Sequence, residues 1–305
     1  DASMNTLREA FDAEGIFAVV GAYSIGIDEA LLGYLRSDNV PLIGPFTLDP
    51  GDAYIDANAY YLFSGFDEQA RVLADRALAE GTTANKVVIA GPQTARSEQL
   101  LRAAISRVNE ASGDAQANVE TWTPGEFDGA EFAGKITDND IEALIFLGAQ
   151  ADLDALLVEL GDRNLAPRIY LLSSLVSRPL IDLPAAFDKK VFIAYPTTSQ
   201  DVSPRGREDY ARIAERHSLP REHVQAQLAS LAAAKLFVEG LRRAGRDASR
   251  ARLVEGLEQL YNFETGVTPP LSYGPNRRIG ALGAHIVTVD LGNRRYVPVG
   301  WYDAT

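Results

Sequence analysis

Two short stretches carry residues able to do chemistry. Ser24 stands in Gly21-Ala22-Tyr23-Ser24-Ile25-Gly26, between an apolar run and a helical pattern, and Thr47 stands in Gly44-Pro45-Phe46-Thr47 after the next apolar run. A serine at a strand-to-helix turn can be a nucleophile. Residues 22–26 read as an AxSxG variant of the GxSxG elbow, with His285 downstream in the order that α/β hydrolases use. The same serine can instead hold an anion, because its hydroxyl and the amides of a helix N-terminus all donate. Phosphate binding does not fit: the GxxxxG is followed by Ile27 and Asp28 instead of Lys-Ser/Thr, and GxGxxG is absent. With one strand before Ser24 and no HGG-type oxyanion loop, an esterase-like hydrolase using Ser24 and His285 stays the alternative reading. Ligand binding by Ser24 and Thr47, with Tyr23 and Phe46 in the same loops, is the leading one.

Other strand ends follow the same pattern. Gln93, Gln150, Ser173, Ser174 and Tyr195 each stand at or just after the end of an apolar run and offer uncharged hydrogen-bonding groups. No acid and base pair suited to catalysis stands out. Three histidines (His217, His223, His285) fit no metal-ligand spacing, and the absence of cysteine excludes thiolate sites and disulfides, so neither metal nor cofactor is expected. The stretch LSYGPNRRIGALG, residues 271–283, reads either as a phosphate-cradling loop or as a hairpin turn with charges at its tip.

The elements that must position these groups alternate. Apolar runs at 16–21, 40–45, 60–65, 86–91, 141–148, 168–174 and 190–196 read as strands, nearly all ending in Gly, Pro or Ser. Helical patterns fall at 28–37, 68–80, 95–111, 150–163, 205–217, 222–245 and 249–260. In the long one, Val224, Leu228, Leu231, Ala232, Lys235 and Leu236 share a face, and Gly245 is its expected C-terminal cap. Such alternation gives a mostly parallel sheet covered by helices, and ligands bind at the carboxyl edge of that sheet. Residues 284–302 change character to antiparallel strands with a turn at Asp-Leu-Gly-Asn, 290–293. A helix capped by Ser3 or Asn5 is expected before the first strand, an opening unusual enough that the chain reads as the remainder of something longer.

With 305 residues and 46% apolar content, the chain can bury two cores. Its formal charge of −13 is the wrong sign for nucleic acid or anionic lipid, so neither is an expected partner. No run approaches the length needed to cross a bilayer, and no direct membrane insertion is expected.

AVVGAYSIG, VPLIGPFTL, YYLFSGFDEQARVLADRA and YNFETGVTPPLSYGPNRRIGALGAHIVTVD, in that order, resemble the type I periplasmic binding proteins of branched-chain amino acid ABC transporters. The likeness is closest to a branch annexed to c-type cytochrome regions. It implies an α/β fold of two doubly wound, Rossmann-like lobes joined by three crossovers, the first lobe lacking its initial strand, helix and strand. Lobe 1 is expected at 1–66 and 200–265, lobe 2 at 67–199 and 266–305 with the closing hairpin. It also implies a periplasmic or extracytoplasmic solute receptor that closes by a hinge around a ligand in the interlobe cleft, and no enzyme. The partner would be an ABC permease or a c-type cytochrome region. By the resemblance, Ser24 and Thr47 hold a ligand carboxylate. Departures from it fall at Ala95 and Gln150, where ligand-covering aromatics would stand, and at Ser174, where an acid would pair with an amino group. Lacking that acid, an α-ammonium would lose about 2 kcal/mol or more, so a carboxylate or neutral polar molecule is the expected ligand. The same departures leave room for a sensory or structural module with no ligand. The resemblance makes Gly274-Pro275-Asn276-Arg277-Arg278 a hairpin turn whose two arginines are solvated.

Overall fold

Eleven strands and eight α-helices form in the computed structural model, which describes residues 9, 15–47, 50, 58–79, 81–113, 115–175 and 180–304. The helix expected near the start of the chain lies outside them. Contacts divide the chain into unit 1, residues 1–65 and 197–282, and unit 2, residues 66–196 and 283–305, so the chain passes between units three times.

In unit 1, strands β1 (Val19–Val20), β2 (Leu42–Ile43), β3 (Ala59–Phe63) and β9 (Ile279–Ala281) form a parallel sheet in the order β1-β2-β3-β9. Side chains alternate across it, so each face needs its own cover. Helix α1 (Asp28–Ser37) lays Leu31, Leu32 and Leu35 against Leu42, Ala59, Tyr61 and Ile279. Helix α7 (Val224–Ala244) packs against β1, β2 and β3, burying Leu228, Ala232 and Leu236. Val224, Leu231 and Lys235, expected on that face, are only half-buried. Helices α6 (Pro204–Arg216) and α8 (Arg250–Glu258) belong to the same unit, each capped by a serine, Ser203 and Ser249. Residues 266–282, expected with the second lobe, lie in unit 1, because Ile279 and Ala281 extend its sheet alongside Tyr61 and Phe63.

Unit 2 holds seven strands in the order β11-β10-β8-β7-β6-β4-β5. Five are parallel: β4 (Val87–Pro92), β5 (Asn118–Trp122), β6 (Ala143–Phe146), β7 (Arg168–Leu172) and β8 (Val191–Tyr195). The antiparallel hairpin of β10 (Gly283–Asp290) and β11 (Arg295–Asp303) closes one side. Its turn spans 291–294, with the Asp290 carboxylate accepting from Asn293. Helices α4 (Gly129–Asp138) and α5 (Gln150–Asp162) cover one face through Phe132, Ile136, Leu153 and Leu160. Helix α2 (Phe66–Ala79) packs against β6, β7, β8 and β10, and α3 (Ala95–Ser112) against α2 and β4.

Candidate functional site

The carboxyl edge of the first sheet is where its hydroxyl groups meet. The loops after β1 and β2 are zipped by backbone hydrogen bonds: Phe46 N–H donates to Ala22 O at 2.7 Å and Ser24 N–H to Phe46 O at 3.1 Å. That pairing sets Tyr23 beside Phe46, and their rings stack with centroids 5.8 Å apart and planes 18° off parallel. Tyr23 is 66% exposed, while Ser24, its neighbour, is fully buried. Gly44 lets the second loop turn at φ +58° directly under α7; a β-carbon there would stand 2.4 Å from that of Ala233.

The two hydroxyls converge on one carboxylate. Ser24 Oγ donates to Asp28 Oδ1 at 2.6 Å, and Thr47 Oγ1 donates to Asp28 Oδ2 at 3.0 Å. Asp28 is the first residue of α1, where the helix dipole favours negative charge. Sequence reasoning brought Ser24 and Thr47 together but missed the acid between them. The signal was present in the Ser-x-x-x-Asp spacing, which puts the acid in the first turn of the helix that the serine loop leads into.

In the second sheet, Gln93, Gln150 and Ser173 follow the carboxyl ends of β4, β6 and β7, and Tyr195 ends β8, four strands adjacent in the order β8-β7-β6-β4. Gln93 is exposed, donates to Thr121 Oγ1 at 3.1 Å, and borders a cavity of about 260 Å³ with Trp122 and Phe127. Gln150 opens α5 and donates to Asp154 at 2.9 Å. Ser173 and Ser174 lie in a 3-10 turn, Ser173 half-buried and Ser174 exposed. Burial pushes the Tyr195 phenol up from its ordinary pKa, with Tyr296 adding to the effect, so it stays a neutral donor. Ala95 is exposed at the start of α3.

Two other expectations change. Arg277 is exposed as expected at a tight turn closed by Gly274 and Arg277, but Arg278 is 7% exposed and far from solvated. It pairs with Glu258 at 2.7 Å, donates to Gly274 O at 3.0 Å, and lies over the Tyr60 ring. Successive residues leave the turn toward opposite sides, so only one of two adjacent arginines can face water there. His285, the alternative catalytic base, sits on β10 edge-on to Trp301, and the Ser24 proton goes to Asp28. Among the described residues no group of three or more His, Asp or Glu is placed to hold a metal.

Residues 1–293 match the family described as periplasmic binding protein. No curated protein matches the chain. Solved structures do. A branched-chain amino acid ABC transporter from Thermus thermophilus with bound valine has a TM-score of 0.70 at 17% identity, over 99% of this chain and 82% of that one. A putative branched-chain amino acid ABC transporter from Rhodospirillum rubrum gives 0.76 at 19%, over 96% and 83%. A fatty acid ABC transporter substrate-binding protein from Thermomonospora curvata gives 0.66 at 13%, over 97% and 78%. Two α/β units, three chain crossings and the family match lead to one conclusion: the chain belongs to the periplasmic binding protein family, with the type I fold.

Proposed function

We propose that this chain is an extracytoplasmic solute-binding receptor, with no catalytic role, that takes a small organic ligand on the polar carboxyl edges of its two sheets and delivers it to an ABC permease. One observation carries this reading. Two separate strand-end loops of the first sheet bring together buried Ser24, half-buried Thr47 and Phe46, and exposed Tyr23, a polar pair beside an aromatic pair. A ligand needs both kinds of surface, apolar for affinity and polar for orientation. Gln93, Gln150, Ser173, Ser174 and Tyr195 are the ligand-binding residues proposed for the second unit. Members of the family are substrate-binding transport receptors. The fold alone does not choose the ligand: one similar structure holds valine and another is named for fatty acids.

The chemistry at Ser24 argues against hydrolysis. Its proton is held by a carboxylate, a weaker base than the imidazole that an esterase needs to take a proton from serine. Native mass spectrometry of gently purified protein tests the proposal. A small molecule retained in the folded chain and lost on denaturation is the expected result. Fluorophosphonate labelling that vanishes in Ser24→Ala would replace the receptor with a hydrolase.

A further inference from the structure

The bonding around Asp28 narrows the ligand class, on the receptor reading above. A hydroxyl has one proton to give, and both Ser24 and Thr47 give theirs to Asp28. What Asp28 offers beyond those two bonds is lone pairs. The group is therefore an acceptor, the reverse of the donor pair that a ligand carboxylate requires. Asp28 is also half-buried, and among the described residues no lysine or arginine pairs with it. The local field has the same sign: Glu29 stands beside Asp28 in the first turn of α1, and the helix's arginine, Arg36, is in its last turn. Beside this acceptor lies the Tyr23 and Phe46 stack, whose exposed Tyr23 face suits a cation better than an anion.

We propose that Asp28 is a specificity-determining residue: unit 1 receives the ligand through a cationic, hydrogen-bond-donating head such as an ammonium or guanidinium, and disfavours a free carboxylate at that point. A ligand ammonium can donate to half-buried Asp28 while its substituents lie along Tyr23.

Matched compounds sharing a carbon skeleton and differing in the head test this: benzylamine against benzoate, pentylamine against pentanoate, leucinamide and leucine against 4-methylpentanoate, agmatine against 4-guanidinobutyrate. Thermal-shift and calorimetric titration are run on the parent, on isosteric Asp28→Asn, and on Thr47→Val, each checked by circular dichroism for native fold. The expected result is that amine or guanidine members stabilise the parent while their carboxylate partners bind at least tenfold more weakly. Asp28→Asn then shrinks that preference tenfold or more, and Thr47→Val, which keeps the acid, preserves its direction. Carboxylate members binding best, or a preference unchanged in Asp28→Asn, would overturn the role of Asp28 and leave the receptor standing. No shift with any member, together with no retained molecule in native mass spectrometry, would overturn both. If Asp28→Asn does not fold, a carboxylate preference in the parent or in Thr47→Val still refutes the proposal.

Discussion

Replacing Gly44 by alanine should damage this protein by an amount the geometry fixes. Two costs act together. A non-glycine residue at φ +58° loses about 1 kcal/mol or somewhat more, because its β-carbon crowds the following carbonyl. The new β-carbon also falls 2.4 Å from Ala233 Cβ and 3.0 Å from Ala233 Cα, so α7 must move off the sheet, an overpacking cost of about 1–3 kcal/mol. The expected loss is about 2–4 kcal/mol, read from the urea midpoint by far-ultraviolet circular dichroism. The double variant Gly44→Ala, Ala233→Gly isolates the contact. Ala233→Gly alone should cost about 1 kcal/mol of helix stability, yet in the Gly44→Ala background it should restore stability instead. A Gly44→Ala loss under about 1 kcal/mol, or simple additivity in the double variant, would refute the claim that α7 rests on this turn. The Phe46 and Thr47 loop follows directly, so the parent's contact of Thr47 with Asp28 should weaken in the same variant.

Removing Glu258 by alanine takes the ion-pair partner from buried Arg278 and should cost about 3 kcal/mol in chemical unfolding; Arg278→Met should cost less, since it removes the stranded charge. The hydrogen bonds from Asn293, side chain first and then backbone, hold the Asp290 carboxyl below its usual pKa. A depressed carboxyl contributes stability above its unfolded pKa and loses it as pH falls through the folded value. Asp290→Asn should therefore be less stable than the parent near neutrality, with the gap closing below about pH 4 in a melting series; a gap that widens in acid would contradict this. Gly148→Ala would set a β-carbon 2.6 Å from Trp122 and 2.7 Å from Phe146, and should cost about 1–3 kcal/mol of unfolding free energy while shifting Trp122 fluorescence.

Much of the architecture was legible because burial is periodic. The α1 pattern at 28–37 matches the observed helix end to end, and α3, α5 and α6 differ by a residue or so. Strand β5 and helix α4 escaped. Asn118–Trp122 is an outer strand, its Val119 exposed and its Glu120 paired with Lys135, so it carries no apolar run. Helix α4 did have a readable start, Asp128 capping the amides of Ala130 and Glu131, but Gly129 in its first position obscured it. Residue types and strand ends put Ser24 and Thr47 on one sheet edge, and the structure brings their hydroxyls to one carboxylate. Their protons' destination was not readable, because a hydroxyl in a sequence is donor and acceptor alike until a neighbour chooses. Arg278 was misread for a related reason: sequence shows two charges at a turn, and only the side each one faces decides which is buried.

The central claim, a receptor for a small solute on the Ser24 and Thr47 edge, is tested most directly by melting the protein against a library of amines, amino acids, alcohols, carboxylates and aromatics. A compound that binds only the folded chain at a hundred times its Kd adds about 2.7 kcal/mol, a rise of a few degrees. The account predicts at least one dose-dependent rise, reduced tenfold or more in apparent affinity by Thr47→Ala. No rise with any compound, or a hit that Thr47→Ala binds as tightly as the parent, would contradict it.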